Sequence, residues 1–107
     1  MPYDQELDER LLKAIAGWGA TRKKMFGGTC HLLNGNMLCG VHKDYLILRL
    51  GQAEAEQALS RPHVKPFDLT GKPMKGWIRV EKAGLNDQAL GQWLAEARRF
   101  VAALPPK

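Results

Sequence analysis

Cysteine is scarce in this chain of 107 residues: Cys30 and Cys39 are the only two. That is too few for the disulfide framework that staples small exported domains, so reduced thiols are expected. Nowhere does the sequence approach the roughly 20 consecutive apolar residues that cross a bilayer. Its first residues, MPYDQELDER, have neither the cationic start nor the apolar stretch of a secretory signal. Internal repeats, low-complexity tracts and linkers are also missing, and the length suits one two-layer core, so residues 1–107 read as a single domain of a soluble, cytoplasmic protein with no membrane partner.

What is present begins with charge. The net charge is +5, unevenly spread. Over residues 1–21, Asp4, Glu6, Asp8 and Glu9 face only Arg10 and Lys13, whereas over residues 22–82 eleven Lys and Arg outnumber five acids. A basic middle favours acidic partners, nucleic acid among them. Leu7, Leu11, Ile15 and Trp18 recur at helical spacing and predict an amphipathic helix over about 4–17, ended by Gly17 and Gly19. Leu90, Trp93, Leu94, Ala97, Val101 and Leu104 predict a second, capped by Asn86 or Asp87 and closed by Pro105 and Pro106. A short third helix is expected at about 52–60, and the sheet lies between the outer two.

Turn chemistry sets the register of that sheet. Asn34-Gly35 is a type I′ hairpin signal, because both central residues must adopt positive φ. It would place Leu32 opposite Met37, His31 opposite Leu38 and Cys30 opposite Cys39. A second turn at Lys43-Asp44 would place Val41 opposite Leu46 and Cys39 opposite Leu48. Alternation then sends Phe26, Cys30, Leu32, Met37, Cys39, Val41, Leu46, Leu48 and Leu50 to the core face. Thr29, His31, Asn36, Leu38, His42, Tyr45, Ile47 and Arg49 go to a mixed, half-solvated face. On this register Cys30 and Cys39 form a directly opposed pair, with Cα atoms about 4.5 Å apart.

GTCHLLNGNMLCGVH holds four potential zinc ligands, Cys30, His31, Cys39 and His42. The register puts the thiols on one face and the imidazoles on the other, where four ligands cannot converge on a tetrahedral ion, and standard finger spacing is missing. No metal is expected. TGKPMKG at 70–76 lacks the spacing and terminal Ser or Thr of a phosphate loop and reads as a turn. No two carboxylates pair as acid and base, most acids being explained by solvated helix faces. Gly27-Gly28, inside an extended run, predicts a bulge or close approach by another backbone, such as the N-terminal helix. Along residues 75–80, Ile78 and Val80 are the natural core set. Lys75, Trp77 and Arg79 then share the outer face, with Lys72 and Arg22-Lys23-Lys24 as neighbours, and the partly exposed Trp77 has two readings: its ring packs beneath the stems of Lys75 and Arg79 or against a helix, the favoured one, or the group is a contact patch for a protein or nucleic acid.

KKMFGG at 23–28, NGNMLCGVHKDYLILRLG at 34–51, GKPMKGWIRV at 71–80 and the closing Trp- and Ala-rich helix resemble, in order, the N-terminal domain of the TfoX/Sxy family, associated with competence regulation in bacteria. The resemblance covers nearly the whole chain. It implies an α+β two-layer fold, an antiparallel sheet packed against N- and C-terminal helices. It implies a stand-alone N-terminal domain, since the chain stops at Pro105-Pro106-Lys107, where the regulators continue into a C-terminal domain. It carries no catalytic residues and no cofactor. The expected function is thus a non-enzymatic regulatory or adaptor module acting through contacts with an unidentified protein, the alternative being a nucleic-acid-binding module that uses the basic middle.

Overall fold

The computed structural model describes residues 3–25, 27–68, 71 and 73–106, with backbone alone for Met25 and Pro73. Phe26, expected on the core face, lies outside the described residues.

Helix α1 spans Gln5–Ala14, and its N-cap Asp4 accepts a 3.0 Å hydrogen bond from the Leu7 amide, satisfying one orphan donor of the first turn. Strands β1 (Thr21–Met25), β2 (Gly28–Leu33), β3 (Asn36–His42) and β4 (Tyr45–Arg49) form the expected meander. Helix α2 (Gln52–Ala58), strands β5 (Val64–Asp68) and β6 (Pro73–Glu81), a 3₁₀ turn at Lys82–Gly84 and helix α3 (Asp87–Ala102) complete the chain. Asn86 caps α3 by accepting from the Ala89 amide at 2.7 Å. All six strands join one antiparallel sheet in the order β1-β2-β3-β4-β6-β5, so the fold is α+β. The β5 strand gave no clear signal in the sequence because Pro66 and Lys65 interrupt it; both suit the edge position it occupies.

One apolar stripe from each long helix, Leu7 and Leu11 of α1 and Leu90, Leu94, Ala97 and Val101 of α3, packs with the sheet residues Leu33, Cys39, Val41, Leu46, Leu48, Ile78 and Val80. Truncating any of these leucines or Ile78 to alanine costs about 2–5 kcal/mol.

The register departs from expectation at one place. Asn34 and Gly35 have positive φ of 55° and 82°, and Leu33 pairs with Asn36 and Leu32 with Met37, as the turn requires. Beyond them the register shifts: His31 faces Cys39, Cys30 faces Gly40 and Thr29 faces Val41, leaving Leu38 as the extra residue of a bulge. The pairs after it, Cys39 with Leu48 and Val41 with Leu46, are those expected. A strict alternation would have sent Leu38 to the far face, whereas the bulge lets Leu38 and Cys39 both enter the helix-side core.

The consequence for the first hairpin is an exchange of faces. Thr29 and His31 share the helix side with Cys39 and Val41, and Leu38 and Asn36 turn there too, while Cys30 and Met37 lie on the far side. The expected Cys30–Cys39 pair is therefore absent, because the two thiols project from opposite faces. Gly28 and Gly40 occupy the tightest stretch of this ladder. A Cβ on Gly28 would sit 2.0 Å from the Val41 carbonyl oxygen, and one on Gly40 would sit 2.1 Å from that of Thr29. The backbone that approaches Gly28 is thus β3, not the N-terminal helix.

The far face is also less solvated than expected. Tyr45, Ile47, Phe67 and Trp77 form a second buried cluster, with Met37 and Met74 against it. In a flat sheet β5 and β3 would stand about 14 Å apart, three strand spacings. Yet the rings of Phe67 and His42 are 6.0 Å apart, so the sheet curls into a trough that closes over this cluster. A cavity of about 20 Å³ remains inside it, room for roughly one water.

Candidate protein-contact site

Three groupings bear on function, and the most polar is sealed. Asp8 sits on the same helical stripe as Leu11 and Ile15 and is only 2 % exposed. One of its carboxylate oxygens accepts from Thr29 Oγ1 at 2.8 Å and lies 3.1 Å from His31 Nε2; the other takes Arg22 Nε at 3.0 Å and Nη2 at 2.9 Å. Arg22 also donates to the Tyr3 hydroxyl at 3.2 Å. Burial alone would push the Asp8 carboxyl up, but hydrogen bonds from His31, Thr29 and Arg22 outweigh it and hold the group below the ordinary carboxylate range. The network ties α1 to the β1–β2 hairpin. Composition and spacing counted Asp8 among solvated acids; its place three residues before Leu11, on the apolar stripe, was the available sign that it needs buried partners.

Cys30, His31, Cys39 and His42 are divided two and two, though by a different partition from the one expected: His31 and Cys39 on the helix side, Cys30 on the trough side, where His42 packs against Tyr45 and Phe67. Among the described residues no three His, Cys, Asp or Glu side chains are grouped to hold a metal. Burial, the dominant cause, pushes the Cys30 thiol up to about 11 and Cys39 well above its ordinary value. Both are thiols rather than nucleophilic thiolates at neutral pH.

The predicted contact patch is dispersed. Arg22, Lys23 and Lys24 lie on edge strand β1, and three strands separate them from β6, which carries Lys75, Trp77 and Arg79. Arg22 is committed to Asp8. Lys23 and Lys24 are exposed, paired across the ladder with Cys30 and Thr29. Lys72 lies outside the described residues. Trp77 and Arg79 do project away from Ile78 and Val80, but Trp77 is 8 % exposed, not the partly open aromatic expected, since Phe67 on the paired neighbour strand β5 packs 6.1 Å from its ring. A tryptophan so enclosed offers no open face on which a base could stack.

A third grouping joins part of that patch to α2. Ala55, Glu56 and Leu59 from the α2 side and Pro66, Met74, Lys75, Gly76 and Trp77 from the β5–β6 side line a surface groove of about 250 Å³. Trp77 and Met74 also line the small internal cavity, so they form the wall between trough and groove. Leu59 is 40 % exposed at the rim, one of two large apolar side chains so open among the described residues, the other being Leu12 of α1. Lys75 and Glu56 place one charge of each sign on the border. The sequence offered Lys75 and Trp77 but not Leu59, because an exposed leucine at the end of a short helix reads as ordinary.

The model of the TfoX N-terminal domain matches residues 13–101, and the chain belongs to that family. No curated protein and no solved structure matches it. None of the described helices is long and apolar enough to cross a membrane.

Proposed function

We propose that this domain is a non-enzymatic regulatory or adaptor module of the cytoplasm, related to the competence regulators through its family, that works by binding a protein in the groove between α2 and the β5–β6 pair. The groove carries the reading. It combines an exposed leucine, a proline, a methionine and a tryptophan edge with charged borders, the composition of an interface centre rather than of a catalytic pocket. Chemistry that resembles catalysis is spent inside the fold: both oxygens of Asp8 are occupied, and His31 is 1 % exposed, out of reach of a substrate. Nucleic acid is the weaker alternative, because the cations are scattered between opposite regions of the sheet instead of tracking a backbone. Capture of a partner from native cytoplasm by the purified domain, compared with Leu59→Glu, tests the proposal. Loss of the captured protein with an unchanged thermal midpoint is expected. Unchanged capture by the variant, together with salt-dependent binding of DNA or RNA, would replace it with the nucleic-acid reading.

A further inference from the structure

The trough assembles a donor set that sequence spacing did not bring together. Cys30, Met37 and Met74 all line its internal cavity of about 20 Å³. The sheet explains why. In register Cys30 faces Gly40, and Gly40 faces Ile47, so no side chain of β3 stands between the thiol and β4. Met37 reaches the same cluster from the start of β3, and Met74 from β6. The cavity has a way in, because Met37 and Met74 are only half-buried and Met74 also lines the open groove beside α2. Cys30 lies inward of them, 1 % exposed. The other walls, Ile47, Phe67 and Trp77 among them, are mostly apolar and include no carboxylate.

We propose that Cys30, Met37 and Met74 bind one soft monovalent metal ion, Cu(I), inside the trough. Thiolate and thioether sulfur select Cu(I), whereas zinc draws on several thiolates, imidazoles or carboxylates. Charge points the same way. One thiolate cancels one Cu(I), so the occupied site is neutral within its apolar walls, while Zn(II) on the same donors leaves a buried positive charge. Coordination breaks the Cys30 S–H bond and forms an Sγ–Cu bond; the proton passes to solvent and copper stays at +1. A cavity with room for roughly one water takes a single ion. The unbranched, rotatable methionine chains adjust to bring both thioethers onto it. Met74, facing the groove, meets the ion first and passes it inward to Cys30. His42 also lines the cavity, but its ring packs edge-on against Tyr45 and Phe67, and the three sulfurs make a trigonal set without it.

The test adds Cu(I), as its acetonitrile complex under argon, to the intact chain and follows the methionine methyl signals by NMR, with Zn(II) in a parallel titration. Expected are shifts at Met37 and Met74 that saturate together at one Cu(I) per chain, and none with Zn(II). Met37→Leu and Met74→Leu keep the volume of the wall and should each weaken retention of Cu(I) against the chelator bicinchoninate by at least about tenfold. Cys30→Ser should abolish it, with thermal midpoints checked for all three variants. Should Cys30→Ser fail to fold, the methyl shifts of the native chain and the two leucine variants still decide. Shifts at neither methionine, or retention unaffected by both leucine substitutions, overturn the site. Equal shifts with Zn(II) overturn its assignment to a soft monovalent ion. The site needs no protein partner, so failure of the protein-contact reading would leave this titration positive.

Discussion

Removing the Asp8 carboxylate should be among the most damaging single changes this fold can suffer. Asp8→Ala leaves Thr29 Oγ1 and the His31 ring without their acceptor, at positions 2 % and 1 % exposed. Each orphaned buried group costs about 1–3 kcal/mol. Arg22 contributes less, because its side chain is 38 % exposed and regains water. The sum is about 3–5 kcal/mol, the range seen when one partner of a buried ionic network is deleted, and a large part of the roughly 5–15 kcal/mol that holds a small domain together. Asp8→Asn keeps an acceptor for Thr29 but turns an NH₂ toward the Arg22 guanidinium, donor against donor. The acid dependence has a definite sign. Since the folded carboxyl titrates below its unfolded value of about 3.9, its contribution is fully present above that value and is lost as pH falls through the folded pKa. Urea unfolding of the native chain and of Asp8→Asn between pH 7 and pH 3 measures both effects. The variant should be weaker at pH 7 and lose less stability on acidification, retaining the share due to Asp4, whose carboxyl is lowered chiefly by its hydrogen bond from Lys82. A variant within about 1 kcal/mol of the native chain at pH 7, or one with the full native acid dependence, would refute the network as a lock.

Gly40→Ala must displace the Thr29 carbonyl from a 2.1 Å overlap that is backbone against Cβ; thermal melts should show a loss of at least about 1–3 kcal/mol, and a neutral result would contradict the tight ladder. Trp77→Ala should cost about 3–5 kcal/mol by urea unfolding, because the ring is the common wall of cavity and groove; an unchanged midpoint would mean the ring does not pack as described. Neither cysteine should react quickly with a thiol reagent at pH 8 until the chain is unfolded, and mild oxidation should form no Cys30–Cys39 bridge; rapid native labelling of both would contradict their burial.

Much of the architecture could be read from local chemistry. The Asn34-Gly35 turn, the Lys43-Asp44 turn and the capped stripe of α3 are specified by neighbouring residues, and each appears where those residues put it. What escaped was set by distant partners. The bulge at Leu38 depends on the core opposite being able to take two consecutive residues, which no alternation pattern encodes. Trp77 is buried against Phe67 of strand β5, whose pairing with β6 had no signal in the sequence, although Lys75 and Arg79 beside it suggested an outer face. Asp8 was legible only as an acid out of place on an apolar stripe, since its partners Thr29 and His31 lie more than twenty residues away. The groove at Leu59 arises from α2 meeting β5 and β6, a tertiary arrangement without a local signature.

Hydrogen exchange of the domain, alone and with the protein it captures from native cytoplasm, tests the contact reading most directly. Protection gained over α2 and its C-cap Leu59, and over residues 73–77 of β6, with β1 unchanged, is the result the groove predicts. Protection confined to β1 and its Arg22-Lys23-Lys24 run, with α2 unaffected, would contradict it and place the working surface at the opposite edge of the sheet.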